Sequence, residues 1–253
     1  MPTTRILTAL MLGLIGFWAL TLVSEGEANH ILISDTAART THSGGLVVTF
    51  QIENRGAPDR LSAVASTAGE ASLRGAGARG LTVPSGVSWL TAEAGHIRLE
   101  TAGSLMAGDT VPLRMEFETA GQVSAIIRYQ DTSAEETAAR LSRFERPRDM
   151  AGAGLVPSVT LSASPDGEGW RVALDTEHFA FDGQSEAADA PIRGYAELFA
   201  DGTRLGRIAD PVVRIGALPS GPVALRVVLS ALDGTPYFSA DGPVADTIRL
   251  TVP

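Results

Sequence analysis

Four histidines, His30, His42, His96 and His178, are the side chains of this sequence best suited to hold a metal ion. No two stand at the spacing that puts zinc ligands on one helix or hairpin, and the H-E-x-x-H pattern is absent, so a sequence-local zinc site is not expected. The chain has no cysteine. That removes thiolate ligands, thiol nucleophiles, disulfides and lipid attachment through cysteine. Asp175 and His178 are close in sequence to Ser162 and Ser164, but no G-x-S-x-G elbow presents a nucleophile, and polar residues at strand ends explain them. Paired acids at Glu135-Glu136 and at Glu186 with Asp189 fall in helix or loop contexts and give glycosidase chemistry no specific support. Gly75-Ala76-Gly77-Ala78-Arg79-Gly80 matches the dinucleotide fingerprint G-x-G-x-x-G letter for letter. That chemistry needs a helix directly afterwards to receive the pyrophosphate, and Leu81-Thr82-Val83-Pro84-Ser85-Gly86 cannot start one. A glycine-rich loop is the reading, and the chain is not expected to be an enzyme.

The elements that carry these residues are strands. Leu46, Val48, Phe50 and Ile52 alternate with Val47, Thr49, Gln51 and Glu53, the period of a half-buried strand. The same period recurs in Val111, Leu113, Met115 and Phe117, and in Val123, Ala125, Ile127 and Tyr129, with Thr119-Ala120-Gly121-Gln122 making a hairpin turn between them. Shorter strands are expected around Leu61 to Ala65, Val87 to Leu90 and His96 to Leu99. About seven short strands with frequent turns indicate a sandwich or barrel. Ser133 and Glu136 form a capping box ahead of the stripe Thr137, Leu141 and Phe144, which predicts one short helix ended by Pro147 and the Gly152 and Gly154 pair. The strand pattern then restarts with Val159, Leu161 and Ala163, then Trp170, Val172 and Leu174. Val223, Leu225, Val227 and Leu229, then Ile248, Leu250 and Val252, repeat it, with turn signals at Asp201-Gly202, Asp233-Gly234 and Asp241-Gly242.

Composition sets the outer limits. In 253 residues, 44% are apolar and 19% charged, which is the globular range and leaves room for two domains. A net charge of -9 repels phosphate backbones and anionic lipid, so nucleic-acid binding is not expected. The nearest basic run, Arg140, Arg143, Arg146 and Arg148, is interleaved with Glu135, Glu136, Glu145 and Asp149 and reads as a solvated helix face. Arg5 precedes the uncharged stretch Ile6 to Val23, and Gly26 and Ala28 stand at small-residue positions before Asn29. This has the order of a signal peptide and is also long enough to anchor the chain in a membrane. The rest is expected outside the cytoplasm: periplasmic, secreted, or held at the inner membrane by residues 6–23. The expected organisation is a signal peptide or anchor over 1–28, a β-sandwich over 29–130, a short helix and linker over 131–157, and a second β-rich domain over 158–253. The fold class is all-β, with two β-sandwich domains.

One set of segments carries a resemblance. Phe50-Gln51-Ile52-Glu53-Asn54-Arg55-Gly56-Ala57-Pro58-Asp59-Arg60-Leu61, Gly95-His96-Ile97-Arg98-Leu99, Met106-Ala107-Gly108-Asp109-Thr110-Val111-Pro112-Leu113 and Phe117-Glu118-Thr119-Ala120-Gly121 together resemble the periplasmic copper chaperone family called PCuAC. That family has N-x-G followed by D-R-L, then G-x-H-x-M, then G-D-x-V-P-L. The resemblance covers roughly residues 33 to 129. It implies a cupredoxin-like sandwich that holds Cu(I) by histidine and methionine, soft donors suited to that ion, and passes it to cytochrome oxidase under assembly, with oxidase assembly components as partners. The ligand set departs from the family. His96 remains, whereas Arg74 stands at the family's first histidine, Arg98 at the methionine of H-x-M, and Gly75 to Gly80 replaces the loop with the first methionine. Copper(I) binding is therefore expected to be weak or absent. The second half resembles more weakly an extracellular domain found beside copper-handling proteins, with the pattern G-H-x-H-L-Y-x-D-G-x-x-x-x-R. Gly194-Tyr195-Ala196-Glu197-Leu198-Phe199-Ala200-Asp201-Gly202 through Arg207 corresponds to it, with Tyr195 and Glu197 at the two histidine positions. A metal-free module that binds a protein partner is the alternative these substitutions leave open.

Overall fold

Alternating apolar residues form strands here because each strand buries one face, and the burial follows the sequence period closely. The computed structural model describes residues 30–41, 45–77, 79–101, 103–130, 147–150, 152, 154–182 and 192–253. The expected signal or anchor, the helix over 133–144, His42, and the Glu135-Glu136 and Glu186/Asp189 pairs lie outside the described residues. Throughout the described residues the protein is all-β.

The first half contains β1 (Ile31–Thr40), β2 (Leu46–Asn54), β3 (Asp59–Ser66), β4 (Gly69–Arg74), β5 (Leu81–Val83), β6 (Gly86–Leu90), β7 (His96–Thr101), β8 (Thr110–Phe117) and β9 (Gly121–Arg128). Their sheet runs β2-β7-β4-β3-β8-β9, with β1 and β6 also paired to β2 and β5 to β3. It closes on itself where Ala38 bridges Tyr129 and the hydroxyls of Thr40 and Tyr129 meet at 2.8 Å. Inside lie Phe50, Ile52, Leu61, Ile97, Leu99, Met115 and Phe117, all fully buried. Each such side chain contributes about 2 kcal/mol by leaving water. The alternation in β8 is complete, with Val111, Leu113, Met115 and Phe117 inward and their neighbours outward. The expected hairpin is present, with Phe117 opposite Gly121.

The second half contains β10 (Arg148–Asp149), β11 (Ser158–Asp166), β12 (Gly169–Glu177), β13 (Ala180–Phe181), β14 (Arg193–Ala200), β15 (Thr203–Ile208), β16 (Val212–Ile215), β17 (Gly221–Ala231), β18 (Tyr237–Ser239), β19 (Gly242–Pro243) and β20 (Ala245–Val252). A sheet in the order β20-β17-β14-β15 faces a sheet in the order β11-β12-β16. Leu161, Val172 and Leu174 from one layer and Leu198, Val223, Leu225, Val227 and Leu229 from the other make a second core. This is a sandwich. Within the stretch expected to be a linker, Arg148–Asp149 pairs in parallel with β18, and Met150 packs on the second core.

Nine strands occupy the described part of the first half, more than the seven or so expected. The additional ones have physical reasons to be inconspicuous. β1 loses its alternation at a bulge between Ser34 and Ala37, where Asp35 has a φ of 48°. β5 is three residues long and entirely buried, so it shows no period at all.

Candidate functional site

The expected ligand positions come together at one corner of the first half. β4 and β7 are antiparallel, and their register sets Arg74 directly opposite His96 and Ser72 opposite Arg98. His96 opens β7 and is half-buried. Its Nδ1 lies 3.2 Å from the Ala94 carbonyl oxygen, so the ring is oriented by its own loop. Burial pushes the His96 imidazole below its ordinary value, and Arg74 and Arg98 push the same way against the opposing pull of the Ala94 carbonyl and Glu93. Arg98 Nε donates to Glu100 on the same strand. A cation brought to His96 therefore meets a guanidinium across the strand pair, and arginine cannot lose its proton to relieve the repulsion.

The methionines are elsewhere. Met115 is a fully buried core residue, while Met106 is 74% exposed on the loop before β8. Among the described residues, no three histidine or acidic side chains converge as metal ligands. The donor set at this corner does not fit Cu(I), which calls for several soft donors in one place.

What occupies the corner is the second half of the chain. The turn Asp201-Gly202 joins β14 to β15, and the Gly202 carbonyl accepts the Gly95 backbone N–H, one residue before His96. Gly202 has a φ of +88°, and a Cβ on it would stand 2.2 Å from the Gly75 carbonyl oxygen. Only glycine permits that approach. Beside it, Asp201 Oδ2 accepts the Thr82 hydroxyl at 2.8 Å and Arg60 Nη1 at 3.3 Å, while Oδ1 accepts the Ala224 N–H at 2.9 Å. Arg60 is 2% exposed, so its charge is desolvated and Asp201 is the carboxylate that compensates it. Arg79, in the glycine-rich loop, donates to the Ser220 and Pro222 carbonyls. The Ser85 N–H donates to Ala217, and β6 meets β15 where Trp89 pairs with Arg204.

The second half's own expected ligand positions are also committed to other partners. Tyr195 lies beneath Arg207, whose guanidinium carbon is 3.6 Å from the ring centroid, a cation–π contact. Glu197, nearly buried, pairs with Arg204 at 2.9 Å. Ser162 Oγ donates to the Ala173 carbonyl, and His178 follows β12 with a φ of 57°.

No family model and no curated protein matches the chain. Among solved structures it is similar to the apo PCuAC domain from PmoF1, at 19% identity and a TM-score of 0.36 over 41% of this chain and 95% of that one. The copper-bound PCuAC domain from PmoF2 matches at 19% identity and a TM-score of 0.37, over 41% of this chain and 94% of that one. The secreted serine protease VesC from Vibrio cholerae matches at 12% identity and a TM-score of 0.27, over 90% of this chain and 52% of that one. Likenesses this distant do not say what this chain binds.

Polar residues within the N-x-G and D-R-L segments brace loops. Asn54 Nδ2 donates to the Ala57 carbonyl while its Oδ1 accepts the Gly56 N–H. Asp59 accepts the N–H groups of Arg60, Thr119 and Ala120. The partnership of Arg60 with Asp201 was hidden from sequence reading, because D-R-L and the D-G turn are individually visible but 141 residues apart.

Proposed function

We propose that this chain is an extracytoplasmic binding protein of copper-chaperone type, serving copper handling or cytochrome oxidase assembly through a protein partner. In this reading the Cu(I) corner has been given over to joining the two halves, and the chain is not an enzyme. The observation that carries it is the cross-strand register that sets Arg74 opposite His96, with the Gly202 turn seated on the adjoining Gly95. One imidazole beside two guanidiniums is a poor place for a monovalent soft cation. The extracytoplasmic address rests on the leader-like residues 6–23, and the copper context on the sequence resemblance over roughly residues 33 to 129.

Competition with a strong Cu(I) chelator tests it. The apo protein beginning at Asn29 is titrated beside His96→Ala and a His30→Ala/His42→Ala double variant. All three are expected to surrender the metal alike. One equivalent retained by the wild type and lost in either variant overturns the reading and returns the chain to the copper carriers.

A further inference from the structure

A cleft of about 360 Å³ opens where the two halves meet, lined by Arg60, Arg79 and Arg249 with Asp201 as its one carboxylate. Three guanidiniums against one carboxylate leave a surplus of positive charge in a chain whose net charge is -9. The carboxylate is already engaged, since both Asp201 oxygens accept bonds from Thr82, Arg60 and Ala224. Arg249, exposed on β20, makes no ion pair among the described residues. Gly77 and Gly80 line the same cleft. A Cβ on Gly77 would meet nothing within 4 Å, whereas one on Gly80 would stand 2.2 Å from the Leu61 carbonyl oxygen, so the glycine-rich loop is uncrowded at Gly77 and packed down at Gly80. Converging guanidiniums repel one another, and a multivalent oxyanion relieves that repulsion through charge-assisted, forked hydrogen bonds.

We propose that this cleft binds a compact multivalent oxyanion, a phosphate or a small di- or tricarboxylate. Arg60 holds the floor, rigid because it is buried and paired. Arg79 and Arg249 are the adjustable arms. Arg60 and Arg79 come from the first half and Arg249 from the second, so the anion bridges the halves and its binding raises the stability of the whole protein by mass action. The site is independent of copper, and its failure leaves the reading of the His96 corner untouched.

The test uses inorganic phosphate and citrate as separate probes on the metal-free protein beginning at Asn29, against chloride at matched ionic strength. One or both probes at about a hundred times its dissociation constant is expected to raise Tm by several degrees beyond chloride. Calorimetric titration of Arg249→Gln is expected to show at least tenfold weaker binding, with a probe-free Tm no lower than that of the wild type. Arg171→Gln, an exposed arginine on β12 outside the cleft, is expected to bind like the wild type. Neither probe exceeding chloride, an undiminished response in Arg249→Gln, or an equal loss in Arg171→Gln each overturns the proposal. The last of these outcomes assigns the effect to bulk charge.

Discussion

His96 is a base that its surroundings favour leaving neutral, against the opposing pull of the Ala94 carbonyl and Glu93. Burial acts first, and Arg74 and Arg98 add to it. Because its folded-state affinity for a proton lies below that of the unfolded chain, the unfolded state takes up the proton first as the pH falls. The stability held by neutral His96 is therefore fully present above the ordinary histidine value near 6.5 and is lost as the pH drops toward the lowered folded value. His96→Gln keeps a polar side chain that cannot titrate. Urea denaturation at pH 7.5 and pH 5.5 is expected to show a smaller acid-induced loss of stability in the variant than in the wild type. Equal losses would mean that other groups govern the acid response.

At the level of elements, Asp59 ties the start of β3 to the turn between β8 and β9 through backbone N–H groups of Thr119 and Ala120 at 2.9 and 2.8 Å. The carboxylate is buried, so Asp59→Ala strips those donors of their partner where water cannot easily substitute. A loss of about 3 kcal/mol is expected, read as a lowered denaturant midpoint with unchanged slope, and an effect under about 0.5 kcal/mol would show the turn to be self-supporting. Strands were legible where apolar residues recur at every second position, β8 being the strand with one exposed and one buried face throughout. β2, β8 and β17 declared themselves through Leu46 to Ile52, Val111 to Phe117 and Val223 to Leu229. β14 did not, because almost all of its residues are buried on both faces and a fully buried strand has no alternation to read. The candidate corner was half legible. The resemblance to the copper-chaperone family singled out Arg74 and Arg98, but the Asp201-Gly202 turn that closes the corner is brought there only by tertiary packing.

Across the whole molecule, Ile31–Pro253 forms one compact unit around two cores, and Asp201 joins them by accepting bonds from Arg60 and Thr82 on one side and Ala224 on the other. Asp201→Ala leaves Arg60 charged, buried and without its carboxylate, a change that costs about 3 kcal/mol. Scanning calorimetry is expected to resolve two transitions in the variant where the wild type unfolds in a more concerted way, and an unaltered thermogram would show that the halves are held together by other contacts. The same pair also has an order in time. Arg60 is made 141 residues ahead of Asp201, which at about 5–20 residues per second is a delay of roughly 7–28 seconds. Near the start of β3, Arg60 already pairs with Thr82 of β5 and accepts the Glu118 N–H on its carbonyl within the first half, so until Asp201 is made its guanidinium has the Thr82 hydroxyl but lacks its carboxylate. Arg60 is thus a latch set early in the chain and closed late, by a turn from the other half.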